Sequence, residues 1–336
     1  RDMLAPAQVL PNTLGASAPY ENAGTLRTRG WELNLNWRHT FGDFDVYANF
    51  NIGDSKTKVT KWDNDSKLLS TYYTGKTYGD IFGFETDRYF EEKDFTSQNA
   101  DGSWNYANGI ASQAGLESGN FHYGPGDVKF KDLDGNGKID GGKGTADDHG
   151  DLKVIGNSMP RYEYSFHLGG AWKGIDLDLY FQGVGKREDW TTYSHQTSYN
   201  KVLWNSDYTA ITGYEVNQGN RYPRLYRGTN NSGGTVSGIA NGCNNYYPQS
   251  RYLTDMSYLR LKNVTVGYTL PKEWTRKAYI EKARIYFSGS NLFLLHKGND
   301  LPVDPEISTG NGLTAGGWGR IAPITRTFSF GVQVTL

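Results

Sequence analysis

The sequence is short of the things that most quickly classify a protein. It has a single cysteine, Cys243, in 336 residues, so no internal disulfide can form and cysteine usage leaves the compartment open. It has no strong charge of either sign: 35 Lys and Arg stand against 36 Asp and Glu. That balance argues against a nucleic-acid partner. It also lacks long hydrophobic runs. The longest is Leu292-Phe293-Leu294-Leu295, and mean hydropathy is −0.66, which excludes a transmembrane helix of about 20 apolar residues. A membrane is not thereby excluded, because a spanning strand needs only about 9–11 residues with half of them facing lipid. The start, Arg1-Asp2-Met3-Leu4, has no leader pattern, so a cytosolic chain or a mature or partial one is expected.

What the sequence does have is glycine, 42 residues, and aromatics, with Tyr (24) ahead of Phe (15) and Trp (9). This mix suits strands and turns better than helices. Strict alternation then places the strands. Trp31, Leu33, Leu35 and Trp37 alternate with Glu32, Asn34, Asn36 and Arg38. Phe44, Val46, Ala48, Phe50 and Ile52 alternate with Asp45, Tyr47, Asn49 and Asn51, across a turn within Thr40 to Asp43. A second hairpin runs from Tyr162 to Trp172 and from Ile175 to Phe181 around Lys173-Gly174. Three more strands follow: 259–270, whose phase changes at Asn263 as a β-bulge would produce; 283–288; and 328–336. A weaker pair is expected over Leu69 to Lys76 and Ile81 to Phe90, giving about nine strands.

Connections alternate short and long. The long ones cover Glu91 to Pro160, Gly185 to Asp255 and His296 to Pro323, and no linker or repeat marks a domain boundary within 1–336. Short turns at one end and long loops at the other suit an outer-membrane barrel. The competing reading is a soluble β-rich carbohydrate-binding or glycan-degrading protein in which the same apolar rows pack in a dry core. Aromatics clustered at strand ends and uniformly polar opposite faces favour lipid. On this reading Glu32, Asn34, Arg38, Asp45, Asn49, Asp176 and Asp178 face the lumen.

Several segments resemble SusC/RagA-type TonB-dependent outer-membrane transporters of Bacteroidetes, in their C-terminal portion. These are 22–33 (NAGTLRTRGWEL), 256–271 (MSYLRLKNVTVGYTLP), 288–292 (SGSNL), Asp304-Pro305-Glu306 and 325–331 (TRTFSFG), spread over essentially the whole chain. The resemblance implies an all-β transmembrane antiparallel barrel of about twenty-two strands with a plugged lumen. This chain would supply about nine of the C-terminal strands, with long extracellular loops and short periplasmic turns. The resemblance further implies a bacterial outer-membrane location, surrounding lipid, and import of oligosaccharides, less readily peptides. A SusD-like surface lipoprotein and TonB would be partners, TonB acting through an N-terminal part, with the signal peptide, TonB box and plug, that this chain lacks. The remainder of the barrel would complete it. The end on Leu336 departs from the aromatic end common in such barrels.

Local motifs are few. Asp132, Asp134, Asn136, the Lys138 carbonyl and Asp140 match positions one, three, five, seven and nine of a calcium loop, with Gly137 at six. Position twelve is Lys143, so a structural Ca²⁺ would need a carboxylate from Asp147 or Asp148. The plain alternative is a polar turn. Loop aromatics Trp190, Tyr193, Tyr199, Trp204, Tyr208, Tyr246 and Trp318 are candidates for contact with substrate or lid, against ordinary loop packing. The six histidines have no metal spacing, and no nucleophile or phosphate-loop motif is found, so no enzymatic activity is expected.

Overall fold

A computed structural model describes residues 2–6, 20–117, 121–190, 223, 228–229, 235–236, 245, 247–299, 304–306 and 324–336. In chain order the strands are β1 (Asp2–Pro6), β2 (Tyr20–Phe41), β3 (Phe44–Trp62), β4 (Asp80–Phe84), β5 (Thr86–Tyr89), β6 (Phe95–Gln98), β7 (Trp104–Tyr106), β8 (Val128–Phe130) and β9 (Leu152–Asn157). They continue as β10 (Arg161–Trp172), β11 (Ile175–Lys186), β12 (Glu188–Asp189), β13 (Gly228–Thr229), β14 (Thr235–Val236), β15 (Thr254–Asp255), β16 (Tyr258–Thr269), β17 (Lys282–Lys297) and β18 (Thr327–Thr335). Among the described residues one short α-helix, α1, covers Lys272–Thr275.

Eight of these strands form one antiparallel wall in the order β1-β2-β3-β10-β11-β16-β17-β18, so wall strands adjacent in sequence are adjacent in space. The turns explain why. Gly42 takes φ 60° between β2 and β3, and Lys173 and Gly174 take φ 48° and 90° between β10 and β11. Left-handed residues in such two-residue loops match the twist of the flanking strands. These turns and the 270–281 connection carrying α1 lie at one end of the wall. The connections 63–160, 187–257 and 298–326 leave from the other.

The register lines up whole rows. Leu35, Phe50, Phe166, Phe181 and Leu261 are successive partners on one face; Asn36, Asn49, His167, Tyr180 and Asn263 are successive partners on the other. The expected bulge is present: Tyr180 pairs with Asn263 and Phe181 with Leu261, leaving Lys262 as the extra residue. The apolar face is uncovered, with Leu35 54%, Trp37 53% and Phe330 72% exposed. Among the described residues no second sheet packs on it, since every other sheet has two strands. Within the described residues, then, the apolar rows are not packed in a dry core. Among the described residues no helix is long and apolar enough to cross a membrane, which says nothing about strands.

The weaker strand pair is not part of the wall. Residues 69–76 form turns, with Gly75 at φ 102°, and the 81–90 stretch divides into β4 and β5. β4 pairs with β9 and β5 with β8. Strands of five and four residues are too short to span a bilayer. The wall strands found by alternation therefore number seven, and β1 is the eighth.

The buried core of the chain lies outside the wall, in a cap folded from the 63–160 connection and residues 245–257. Phe84, Phe90, Phe95, Phe121, Tyr123 and Phe130 pack there with Val128, Ile139 and Met256. Phe84 and Phe130 stack at 4.9 Å. Several of its buried polar groups are paired: Asn245 accepts from the Val128 N–H and donates to Asp127, both at 2.8 Å, and Gln113 accepts from the Phe130 N–H. At the cap edge Asp94, 1% exposed, takes a two-pronged grip from Arg88 at 2.6 and 2.7 Å. The guanidinium holds that carboxyl below the usual range. Lys131 and Lys153 together bring Glu85 down to about 2.

The uncovered row makes a measurable difference between faces. Leu35→Arg should destabilise the folded barrel by about 2–4 kcal/mol, whereas Arg at polar-face Thr265, beside Asp178, should cost less than about 1 kcal/mol. Unfolding of the full-length protein in detergent or lipid measures both. Equal costs would mean that the two faces do not see different media.

Candidate functional site: the polar face and its cap

All seven residues expected to face a lumen lie on the polar face. Arg38 pairs with Asp45 at 2.5 Å, and the Thr40 hydroxyl donates to the same carboxylate at 3.0 Å. Asn36, Asn49, Asn51 and Asn34 form a relay of side-chain amide bonds across β2 and β3, which reaches Ser165 on β10 at 3.3 Å. Glu32 and Glu163 both lie opposite Gly53, one on each side strand.

Two further contacts cross an entire strand. Tyr47 on β3 donates to Asp178 on β11, passing over Gly169 of β10; His167 bonds the same carboxylate at 2.7 Å. Arg284 on β17 grips Asp176 on β11 at 2.8 and 2.5 Å, passing over Gly267 of β16. In both cases glycine is the direct partner of a crossing residue: Gly169 of Tyr47 and Asp178, Gly267 of Asp176. A Cβ on Gly169 would run into the Tyr47 ring, and one on Gly267 into Arg284 and Asp176. Glycine usually weakens a strand, so here it marks a close approach.

Arg260 and Lys262 both reach the Asp304-Pro305-Glu306 segment: Arg260 meets Asp304 and Glu306 at 2.5 Å each, and Lys262 meets Glu306. The Arg260 side chain is only 7% exposed, so this clamp ties part of the 298–326 connection to the wall in a poorly solvated place. Sequence reading noticed the phase change and the acidic pair separately. The spacing of two bases against two acids, each two residues apart, was the available signal.

The calcium-type loop is only partly gathered. Gly135 and Gly137 take φ 75° and 80°. Asp132 accepts from the N–H groups of Gly135 and Gly137, and Asp134 from that of Asn136. Carboxylate oxygens of Asp132, Asp134 and Asp151 lie within 4.8 Å of one another. Asp140 is outside that group, with its carboxylate on the Gly142 N–H at 2.7 Å. The Asn136 side-chain oxygen accepts from the Lys138 N–H. Neither expected closing residue closes the site: Asp147 pairs with Lys67 and Asp148 with Lys143. Asp151 takes that place because its carboxylate is held by the N–H groups of Leu133 and Asp140, at 2.6 and 2.9 Å.

Trp190 corrects a second expectation. It is 6% exposed and packs in the cap core, which is the ordinary loop packing weighed against ligand contact. Tyr193, Tyr199, Trp204, Tyr208, Tyr246 and Trp318 lie outside the described residues.

No family model matches the sequence. Among curated proteins it is similar to TonB-dependent receptor P3 of Formosa agariphila, 27% identical over 371 aligned residues, covering 99% of this chain and 31% of the relative. It is likewise similar to TonB-dependent receptor P26 of the same organism, 24% identical over 340 residues, covering 97% and 31%. The chain thus spans about a third of the length of these relatives. Among solved structures it is similar to the RagAB peptide importer in the open-open state, with TM-score 0.55 and 17% identity over 100% of this chain and 31% of that one. The RagAB peptide transporter gives TM-score 0.56 at 17% identity, covering 97% and 31%. The wall has the fold of a section of a transmembrane β-barrel, and the chain is similar to TonB-dependent receptors over nearly its whole length. More particularly, the chain is similar to a portion of a SusC/RagA-type transporter, and it belongs in the bacterial outer membrane.

The glycine crossings generate a double-mutant test. Gly169→Ala should destabilise the barrel by about 1–3 kcal/mol through overpacking. Adding Tyr47→Ser should cost less than the sum of the two single changes, because the second removes what the first collides with. Thermal loss of the compact band in semi-native electrophoresis reads both; strictly additive costs would show that Tyr47 does not need Gly169.

Proposed function

We propose that this chain is part of the wall and the extracellular cap of a TonB-dependent importer, with its polar face lining the route for cargo. One observation carries the reading. A single meander leaves its apolar row uncovered and gathers all its short turns at one end and a folded cap at the other. On this reading binding energy and an external pull on a plug take the place of covalent chemistry. The remainder of the barrel with its plug, TonB, and a SusD-like surface lipoprotein seated on the cap side are the partners this reading requires.

For cargo we propose oligosaccharide, on the aromatic wealth of the long connections. Peptide is the second reading, favoured by the likeness to the RagAB peptide importer. Uptake of labelled oligosaccharides and peptides by cells of the native host decides between them. Deleting this transporter, or the energising protein, should abolish oligosaccharide uptake. Loss of peptide uptake instead overturns the cargo, and uptake that survives without the energising protein indicates a passive pore.

We also propose that a structural Ca²⁺ braces the cap, held by Asp132, Asp134 and Asp151. Support comes from three carboxylates meeting beside a loop with glycine at the sixth position. Titration calorimetry of the full-length transporter should show binding with a Kd of roughly 10⁻⁴–10⁻³ M, as for extracellular calcium modules, and Asp132→Asn should weaken it about tenfold or more. No heat at millimolar calcium would remove the proposal.

A further inference from the structure

Above the uncovered apolar row the outward face of β2 and β3 changes chemistry without changing parity. Arg27 and Arg29 continue the row of Trp31, Leu33, Leu35 and Trp37. Lys56 and Lys58 continue the row of Ile52 and Phe50. The register sets Arg29 directly opposite Lys56 and Arg27 directly opposite Lys58. The inward face over the same stretch carries Thr28 and Gly30 against Thr57 and Ser55. All four cations are exposed, and none has an ion pair among the described residues. Asp54 shares their face nearby, and it is gripped through both oxygens by Arg161; Asp2 of β1 pairs with Thr25, the next residue of the Arg27 row.

Like charges directly opposite each other on a sheet destabilise it. Two such pairs stacked one above the other therefore imply an anion that bridges them. Their height says which anion. Trp31 to Phe41 is ten steps along β2, about 34 Å at about 3.4 Å per residue, or about 24 Å once tilted by about 45°. That equals the apolar band of an outer-membrane barrel, about 25 Å tall. Trp31 then marks its upper edge. Arg29 and Arg27 lie about 5 and 10 Å above it on the cap side, level with lipid headgroups.

We infer that Arg27, Arg29, Lys56 and Lys58 form a docking site on the barrel's outer surface for the phosphate groups of an anionic outer-leaflet lipid. Arginine offers its fork to phosphate oxygens and lysine a point charge, so a phosphomonoester on a lipid headgroup can satisfy both kinds of donor at once. The site lies outside the import route. It rests on the outward assignment of the Trp31 row, which the Leu35→Arg comparison tests separately.

The test uses the full-length transporter extracted from its own outer membrane in mild detergent, with retained phosphorylated lipid per barrel measured by native mass spectrometry. The wild type should retain it. The variant R27Q/R29Q/K56Q/K58Q should retain about tenfold less or lower, and raising the salt should release lipid from the wild type. Enzymatic removal of the lipid phosphates should erase the difference between the two proteins. If the fourfold variant does not fold, the salt series and the phosphatase comparison on the wild type decide alone. Equal retention by wild type and variant, or of phosphorylated and dephosphorylated lipid, overturns the inference. So does a variant that keeps its lipid and loses a surface lipoprotein, since the cations would then serve a protein partner.

Discussion

A backbone N–H or C=O in hydrocarbon has no water to turn to, so every one in the spanning region must be satisfied by a neighbouring strand. The rest of this structure follows from that constraint. It explains the unbroken antiparallel ladder from β1 to β18 with no strand out of sequence order. It also explains how the wall is held without a hydrophobic core of its own. Trp37 and Leu35 are uncovered by protein, and lipid, not a packed interior, is their apolar medium. Beyond the ladder, apolar-face rings stack between neighbouring strands, as Phe50 and Phe166 do at 4.9 Å, and polar-face contacts join strands too, two of them skipping a strand altogether. Glycine, unfavourable in most strands, is what makes room for Tyr47 to reach Asp178 and for Arg284 to reach Asp176. Gly183 and Gly331 lie likewise directly opposite Tyr164 and Tyr286, each ring filling the space that a Cβ would take.

In water the balance is different, and so is the construction. The 63–160 connection and residues 245–257 meet as a small folded body with buried phenylalanines, paired buried polar groups and strands only two to six residues long. Connections of this length are exceptional as bare loops, and here they behave as a domain built on the rim of a wall. The rim itself is stitched by charge: Arg260 and Lys262, two residues apart on β16, hold Asp304 and Glu306.

These two regimes account for what could be read from the residues alone. The wall was legible because lipid on one side and a polar interior on the other impose a period of two, as in Trp31 to Arg38, and because Gly42 and Lys173-Gly174 are turns with a steric reason. The bulge was legible as a slip in that period. The cap was not. Its strands are short, so the 69–76 and 81–90 segments carry a mixed signal that reads as two wall strands. Trp190 looked like a ligand contact because aromatic content says nothing about burial. Asp151 was missed as the third carboxylate because backbone bonds from Leu133 and Asp140 bring it there, and no spacing rule encodes that.

The upper part of β2 also bears on why lipid, and not a second protein layer, is the partner of the outward row. Along Arg27 to Trp37 the inward residues stay polar throughout, as Thr28, Gly30, Glu32, Asn34 and Asn36. The outward residues switch from cations to aromatics and aliphatics at a single point, between Arg29 and Trp31. The ladder runs through that point without a break in register. A protein core has no reason to change so abruptly along one strand while the opposite face stays the same. A bilayer does, because its headgroups and hydrocarbon are stacked layers that only the outward face crosses.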